Sequence, residues 1–579
     1  MSVIGIDLGT TNSLAAYWAD GRVHFIPDEN GNRMVPSAAV YLEGEGIVVG
    51  RKAKEHLLNG GEGAASFKRF MGTKKEYMLG GKAYTPMELS AMVLHKLKEQ
   101  AERILPEIEE AVITVPAYFN DKQRSDTKKA AQIAGLKVER LINEPSAAAL
   151  AYRMQYGSGD KSLLIFDFGG GTLDLSCVEC FDNVIEITAV AGDNYLGGDD
   201  IDHLIAEYDC TRRGLDYGRL GPKEQAALLK QAEAAKCCLG GTTDDGLSLT
   251  EEQLFEICMP LFTKMKELFL HILEDAGLRV SDLDDLIMVG GSSRLPVVKR
   301  FLTELLGKEP VVLGDTDMVV ALGAGIYTGI RRRDAEIRDI LLTDVCPFTL
   351  GVETFRRQGE KKGYLLPMIE RNSTLPASRR ERLVTLYDYQ TAVTVKIYQG
   401  EEYFARDNIY LGEVTAQVAP KKAGKEWIDV YFTYDINGIL HVEIVNSKGE
   451  HNQILLANQT LGEAELERHK KEIEALMTPP LEQDKNRKLL ERASAYYEQS
   501  TGARRERLGA LIHWFVAGMN SGRLYRIRRA AEEMERQLAL LEEADERRED
   551  LLFDGDLKWD LDLEDLGDDD GKDLGNSGN

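Results

Sequence analysis

Two short stretches carry the same arrangement of residues that could hold a phosphate group and a metal ion. Residues 4–13 read IGIDLGTTNS and residues 164–174 read LIFDFGGGTLD, so each is an apolar run followed by an aspartate and a turn rich in glycine and threonine. Backbone N–H groups in such a turn suit phosphate oxygens, since glycine allows close approach. An aspartate at the strand end can face Mg²⁺ directly or through water. The repetition predicts a phosphate clamp in a cleft between two related lobes.

A third element has a similar form but no P-loop accompanies it. Residues 286–296 read LIMVGGSSRLP, an apolar strand followed by Gly290 and Gly291. The chain contains no GxxxxGK[ST] pattern, so the predicted phosphate site differs from that of the P-loop proteins.

The first 335 residues alternate strand-like and helix-like segments, which predicts an α/β fold with largely buried sheets. Residues 111–119 (AVITVPAYF) are typical of a strand, and residues 120–135 predict a helix that begins at Asn120 and stops at Gly135. Residues 85–105 begin with a Thr-Pro-x-Glu capping box and continue at helical period.

The pattern changes near residue 345. Residues 391–401 and 427–445 alternate apolar and polar side chains, the second around an Asn-Gly hairpin turn, and predict an antiparallel β domain. From about residue 460 the pattern is helical. The connector at 338–347 (RDILLTDVCP) is apolar, whereas inert linkers are polar, so we expect it to dock on a neighbouring surface.

Composition excludes several classes of protein. The net charge of -25 argues against nucleic acid as a partner. No apolar run is long enough for a membrane span, so a cytoplasmic protein is expected. Seven cysteines are too few for a disulfide framework, and Cys177 and Cys180, three apart in a strand pattern, predict buried thiols on opposite faces rather than a metal site. The last 29 residues, 551–579, are acidic and glycine-rich and predict disorder.

A series of motifs between about residues 3 and 460 resembles the DnaK-type heat shock protein 70 family of chaperones. In chain order they read GIDLGTTNS, FKRFMG, VPAYFND, LINEPSAAALAY, FDFGGGTLDLS, LGGDD, EAAK, VGGSSRLP, VALGAG, LLTDVCPFTLGVE, IERNSTLP and YDINGILHV. The resemblance implies an actin-like (ribonuclease H-like) two-lobed ATPase domain at 1–336, a linker at 337–345, a β-sandwich substrate-binding domain at 346–460, a helical lid at 461–550 and a disordered acidic tail at 551–579.

The resemblance also implies the residues of an ATP site with Mg²⁺, and K⁺ as an optional further cation. The catalytic residues would be Lys68, Glu144, Asp167 and Thr172. The metal residues, acting partly through water, would be Asp7, Asp167 and Asp174. The nucleotide would contact Thr10, Thr11, Asn12, Gly169, Gly170, Gly171, Thr172, Gly197, Gly198, Glu233, Lys236, Gly291, Ser292, Arg294 and Asp317.

The second half is similar to the family's peptide-binding domain, in which an extended peptide binds by main-chain hydrogen bonds and a small apolar pocket. The implied peptide-binding residues are Val352, Phe355, Leu383, Leu386, Val393 and Val395, although alternating apolar residues more often build a sandwich core. The implied coupling residues are Pro116, Arg124, Arg140, Asn143, Leu341, Leu342 and Asp344. The implied partners are unfolded polypeptide clients, a J-domain co-chaperone and an exchange factor, with the chaperone itself a monomer.

Several departures indicate the divergent HscC-like bacterial branch of the family. Thr343 stands where the third leucine of the linker is common, both outer lobes are short, and Pro479-Pro480 must break a helix of the lid. Phe355 and Leu386 would form a bulky arch over the peptide. These departures put general refolding activity, standard use of an exchange factor and coupling to the lid in doubt.

Two other functions remain open from the residues. A sugar or acid kinase of the same superfamily would use the same clamp, but the C-terminal sandwich and apolar connector argue against it. A non-catalytic scaffold switched by nucleotide would not need the full set Asp7, Lys68, Glu144, Asp167 and Thr172. The ATP-dependent chaperone is therefore the preferred hypothesis.

Overall fold

The computed structural model describes residues 2–42, 46–105, 107–157, 159–181, 183–241, 247–335, 337–436, 438–455, 481, 484–520 and 524–550. The chain divides into two compact units, one of residues 1–480 with 522–525 and the other of residues 481–521 with 526–579. The predicted tail at 551–579, the Pro479-Pro480 break and Asn437 lie outside the described residues. The α/β part, the connector and the β domain thus belong to one unit.

The first lobe is built on one large sheet with smaller ones beside it. Its strands are β1 (Ser2–Asp7), β2 (Asn12–Ala19), β3 (Arg22–Phe25), β4 (Val35–Pro36), β5 (Ala38–Leu42), β6 (Gly46–Val49), β7 (Ala64–Ala65), β8 (Tyr77–Leu79), β9 (Lys82–Tyr84), β10 (Ile108–Val115) and β11 (Arg140–Asn143). Its helices are α1 (Arg51–Leu58), α2 (Pro86–Glu102), α3 (Asp121–Ile133) and α4 (Glu144–Tyr156). The main sheet has the order β11-β10-β1-β2-β3.

The second lobe repeats this topology. Its strands are β12 (Lys161–Phe168), β13 (Leu173–Phe181), β14 (Val184–Asp193), β15 (Asp285–Val289) and β16 (Val311–Val312). Its helices are α5 (Gly198–Arg212), α6 (Pro222–Cys237), α7 (Glu251–Ala276), α8 (Pro296–Leu306) and α9 (Val319–Arg331). The order β16-β15-β12-β13-β14 matches that of the first lobe, with antiparallel neighbours on one side of the first strand and parallel neighbours on the other. The predicted pair of related lobes is confirmed.

Local sequence signals set the ends of the helices as predicted. Thr85 and Glu88 form the capping box at the start of α2, and the Thr85 N–H donates to the Glu88 carboxylate at 2.8 Å. Asn120 caps α3 and bonds reciprocally with Gln123. Gly135, with φ of 75°, follows the end of α3 in a conformation that favours glycine.

The cysteines of the second sheet lie where the alternation of a strand puts them. Cys177 and Cys180 are buried on β13, and each packs into a different hydrophobic core on either side of the sheet. The prediction of buried structural thiols is confirmed.

The connector adds a sixth strand, β17 (Leu341–Thr343), to the second sheet. It runs parallel to β14 and pairs with Val184–Glu186. Leu341 is 36% exposed, Leu342 is half-buried and Thr343 is buried. The apolar connector therefore docks on the α/β part of the chain, as its composition predicts.

The β domain is a sandwich of two four-stranded antiparallel sheets. Its strands are β18 (Leu350–Thr354), β19 (Tyr364–Ile369), β20 (Ala377–Val384), β21 (Ala392–Gln399), β22 (Ile409–Gln417), β23 (Trp427–Tyr434), β24 (Leu440–Asn446) and β25 (His451–Leu455). The sheets have the orders β19-β18-β21-β22 and β20-β23-β24-β25. Their facing side chains, which include Ile397, Phe432 and Ile444, form one buried core.

The second compact unit contains three described helices. They are α10 (Asp484–Gln499), α11 (Gly502–Asn520) and α12 (Leu524–Asp550). Met534, Leu538 and Leu541 of α12 are buried in one hydrophobic core with Leu508 and Phe515 of α11. Among the described residues, no helix combines the length and apolarity that crossing a membrane requires.

Candidate functional site

The repeated turns of the two lobes border one cleft of about 320 Å³. Asp7 ends β1 and Asp167 lies near the end of β12, so the shared topology places the two aspartates and their turns on either side of this space. The predicted residues that line the cleft are Asp7, Thr10, Thr11, Asn12, Lys68, Glu144, Asp167, Gly169, Gly170, Thr172, Gly198, Glu233, Lys236, Gly291, Ser292 and Asp317. Residues from distant parts of the chain thus meet in one place.

Four predicted residues do not line the cleft themselves. Asp174 is buried on β13, and Gly171 and Gly197 pack under the turns. Arg294 is turned to Asp315 and Asp317, and its guanidinium lies 2.6 Å from the Asp317 carboxylate. The direct contact of Arg294 with a nucleotide therefore stays a prediction.

Lys68 and Glu144 form a buried ion pair at the cleft. Lys68 lies on the 3-10 helix Phe67–Phe70, and Glu144 is the first residue of α4, where the helix dipole favours a carboxylate. The Lys68 ammonium donates to Glu144 Oε1 at 2.7 Å, and both side chains are less than a tenth exposed. Burial acts to lower the pKa of Lys68, but Glu144 and Asp7 outweigh it and raise this pKa above its ordinary value. The ammonium therefore keeps its charge.

Three aspartates lie beside this pair, and the pKa of each is raised. Burial, followed by the charge of Glu144, raises the pKa of Asp7 and that of Asp174 to about 7, and the same causes raise the pKa of Asp167 well above its usual range. The Tyr118 N–H donates to Asp174 Oδ1 at 3.1 Å, while Asp174 Oδ2 is buried and has no hydrogen-bond partner among the described residues. Clustered carboxylates with an open oxygen fit a hydrated divalent cation such as Mg²⁺.

Several further residues of the cleft were not predicted from the sequence. Asp202 pairs with Lys236 at 2.7 Å, and Lys54 and Cys237 also line the space. Arg69 reaches from the first lobe to the second, where its guanidinium lies 3.4 Å from Asp199 and also contacts the next aspartate in the chain. Two features of the sequence could have indicated this contact. Arg69 directly follows Lys68, and the motif LGGDD contains the acidic pair Asp199 and Asp200.

We expect Gly197→Ala to destabilise the cleft while Gly169→Ala does not. A Cβ at Gly197 would lie 2.5 Å from the carbonyl carbon of Gly170 and from the Cα of Gly171, so the backbone must shift, which costs about 1–3 kcal/mol. A Cβ at Gly169 would meet its nearest atom, the Thr172 carbonyl oxygen, at 3.8 Å. Thermal unfolding of the two variants measures the difference, and equal melting temperatures would contradict this packing.

The predicted coupling residues lie where the connector and the β domain meet the first lobe. The Arg140 guanidinium lies 3.6 Å from the Asp344 carboxylate and also donates to the Ile436 carbonyl, and the Ser146 hydroxyl donates to Asp344. The Arg124 guanidinium donates to Asn143 Oδ1 at 2.7 Å. Pro116, the residue after β10, is buried, and Leu342 of β17 is half-buried.

Asp121 joins α3 to the β domain in this interface. Its carboxylate accepts a hydrogen bond from the Tyr434 hydroxyl at 2.8 Å. Burial raises the pKa of Asp121 to about 6, with Arg124 opposing and Asp435 reinforcing the shift.

We expect docking of the β domain to strengthen as the pH falls through about 6. The docked Asp121 binds a proton more tightly than a solvated aspartate of pKa 3.8, so protonation favours the docked state, and the gain is lost as the pH rises. The full effect is up to about 3 kcal/mol. Hydrogen-exchange protection of Leu341–Thr343 measures docking, and in Asp121→Asn it should lose most of its dependence on pH. An unchanged slope in that variant would assign the effect to another group.

The residues predicted to bind a peptide fall into two groups. Val352 and Val395 are buried in the core between the sheets. Phe355, Leu383, Leu386 and Val393 are half-buried at one end of the sandwich. The first group contributes to the core, and the second could also touch a ligand.

The comparison with known families agrees with this architecture. The family model described as Hsp70 protein matches residues 3–79 and 75–543, nearly the whole chain. Its span includes both lobes, the connector and the β domain. Members of this family hydrolyse ATP, bind ATP or ADP with Mg²⁺, and act as chaperones that bind client polypeptides and J-domain partners. The chain belongs to the Hsp70 family of ATP-dependent chaperones.

Proposed function

We propose that this protein is an ATPase chaperone of the HscC-like branch that binds extended apolar peptides and acts in the cytoplasm. ATP binding would favour peptide release, and hydrolysis would favour trapping. The observation that carries the proposal is the convergence of Lys68, Glu144 and the aspartates Asp7, Asp167 and Asp174 around one cleft. The same unit contains the docked connector and the β domain, so nucleotide and peptide sites have a physical connection.

In the cleft, the two glycine-threonine turns would hold the phosphates by their N–H and hydroxyl groups. The ammonium of Lys68 would meet the γ-phosphate. The phosphate would compete with Glu144 for the hydrogen bond of this ammonium. The Glu144 carboxylate would then be free to orient the attacking water. Phosphoryl transfer requires this positioning and neutralisation of charge more than covalent chemistry.

The aspartates would hold the cation. Asp7 and Asp167 border the cleft, and Asp174 lies behind them with one open oxygen. A bound Mg²⁺ supplies neutralisation of the phosphate charge. The carboxylates must be ionised to hold it, and the charge of a bound Mg²⁺ would itself favour the ionised form.

Coupling would act through the connector and the face around Arg140. ATP binding shifts docking only if the nucleotide binds the docked state more tightly than the undocked one. Any change that ATP makes in the affinity for peptide must then equal the change that peptide makes in the affinity for ATP. A J-domain partner would act on this equilibrium, and an exchange factor would speed release of ADP.

Single-turnover ATP hydrolysis with and without an extended apolar peptide tests the proposal. Stimulation by peptide would support both the ATPase and its coupling. Thr343→Leu, at a buried position of β17, should strengthen docking of the connector and alter the stimulation. Hydrolysis that no peptide changes would contradict the coupling, and phosphorylation of a sugar or acid would instead support a kinase.

A further inference from the structure

The half-buried end of the sandwich is bordered by two loops. Residues 355–363 connect β18 to β19, and residues 385–391 connect β20 to β21. The Gln358 side-chain amide donates to the Leu386 carbonyl at 2.6 Å, so the loops touch beside the two residues predicted to arch over a peptide. These loops therefore define the rim of the proposed peptide site.

The rim is basic although the whole protein is acidic. Arg356, Arg357, Lys361 and Lys362 are exposed on the first loop, which reads FRRQGEKKG, against one glutamate. Arg357 and Lys361 make no ion pair within the described ranges. The net charge of the whole chain is -25, so a positive rim is a local exception. Such a surface attracts acidic ligands.

Residues 418–426, which connect β22 to β23, place further positive charge beside the second loop. The Tyr389 N–H donates to the Lys421 carbonyl at 2.7 Å, and the Gly424 N–H donates to the Thr385 carbonyl at 2.8 Å. Lys422 and Lys425 are exposed on this segment. Positive charge therefore lies beside the second loop, whose own charged residue is the exposed Asp388.

Apolar side chains are exposed between these charges. Val384 is 58% exposed, Tyr387 50% and Tyr389 64%. A ligand that matches the rim must therefore present apolar and acidic groups together, over a length that reaches both loops.

The chain itself contains a segment with these two properties. Residues 556–566 read DLKWDLDLEDL, with Leu557, Trp559, Leu561 and Leu563 at every second position and acidic residues at most of the others. In an extended conformation the apolar side chains project to one side and the acidic ones to the other. Residues 551–579 carry ten acidic residues and two lysines.

We infer that the acidic segment 556–566 is a ligand of the basic-rimmed peptide site and competes there with clients. The inference rests on the proposed peptide-binding function. The alternating apolar residues fill the place of a client peptide between Phe355 and Leu386, and the acidic residues meet Arg357 and Lys361. Occupied sites are unavailable to clients. The apparent affinity for a client is therefore the intrinsic affinity multiplied by the fraction of sites that are free.

The first experiment uses the full-length chain with Leu557→Ser, Trp559→Ser, Leu561→Ser and Leu563→Ser, which keeps the charge of the tail. A labelled peptide of residues 553–569 should bind this variant, as measured by fluorescence anisotropy. A version of the peptide with the same four substitutions should bind at least about tenfold more weakly, since most of its apolar area is lost. A version with amides for acids should bind about fivefold more weakly and lose its dependence on salt.

Substitutions in the protein provide the matched control. Arg357→Glu with Lys361→Glu should weaken binding of the 553–569 peptide about tenfold and leave an uncharged apolar peptide unchanged. Lys264→Glu with Lys266→Glu, on α7 of the second lobe, makes the same change of charge away from the rim and should weaken neither peptide. The uncharged peptide should also bind the four-serine chain several-fold more tightly than the natural chain.

The outcomes separate the inference from the function on which it depends. If the uncharged peptide binds but the 553–569 peptide does not, the segment is no ligand and the inference is overturned while the function stands. If neither peptide binds any variant, the peptide-binding function itself fails. If the competition depends on protein concentration, the competing tail belongs to a second copy of the chain.

Discussion

Lys68→Met is expected to slow single-turnover ATP hydrolysis about 10²–10³-fold while the nucleotide still binds. The ammonium is the cation nearest to Glu144, at 2.7 Å, and its loss removes the positive charge that a γ-phosphate would meet. The variant also leaves Glu144 beside Asp7 and Asp167 without its partner, which raises the negative charge in a buried space. Hydrolysis should therefore be slow because the charge of the transferred phosphate is not neutralised. The two glycine-threonine turns should still bind the nucleotide.

Lys54→Met is the matched control in the same cleft. Lys54 lines the space from α1 and is only half-buried, so its loss should change hydrolysis less than about threefold. Rapid-quench measurement of the chemical step, with nucleotide affinity measured separately, distinguishes the two lysines. Equal losses in both variants would show that general charge in the cleft, rather than the position of Lys68, controls the rate.

Arg140→Ala is expected to weaken docking of the connector by about 3 kcal/mol, or about a hundredfold in the equilibrium constant. The side chains of Arg140 and Asp344 are 7% and 5% exposed, so Asp344 would remain buried without its cation. The Ile436 carbonyl would lose its donor as well. Hydrogen-exchange protection of Leu341–Thr343 should fall, and stimulation of hydrolysis by peptide should be lost.

Arg338→Ala is the control for this experiment. Arg338 lies in the same connector, but its side chain and that of its partner Asp339 are 59% and 74% exposed, and such pairs contribute little. Protection of the connector should therefore be unchanged. In Arg140→Ala with Asp344→Ala, removal of the buried charge should restore part of the docking, and a double variant as weak as Arg140→Ala would show that the contact with Ile436 dominates.

Much of the fold follows from local signals in the sequence. The repeated Asp-Gly-Thr turns predict two lobes, because each turn needs a strand before and after it, and the sheets repeat one strand order. The capping residues at Thr85 and Asn120 predict the helix starts because the side-chain bonds are made within three residues.

The contacts between distant segments could not be predicted from composition or period. Tyr434 and Asp121 are 313 residues apart, and nothing in either local pattern requires their hydrogen bond. Arg69 reads as an ordinary surface residue in FKRF, yet its side chain crosses to Asp199 in the other lobe. Such pairs depend on how whole helices and strands pack against each other. The local pattern of residues along the sequence carries no information on that packing.

The short strand formed by the connector covers a sheet edge. β14 is the last strand of the second sheet apart from the connector, and Leu341–Thr343 cover its outer backbone along Val184–Glu186. Departure of the connector leaves N–H and C=O groups on that edge that can template pairing with another polypeptide. An undocked connector would leave this short edge open, and the fraction of time spent undocked would then set how often the edge can pair with another polypeptide.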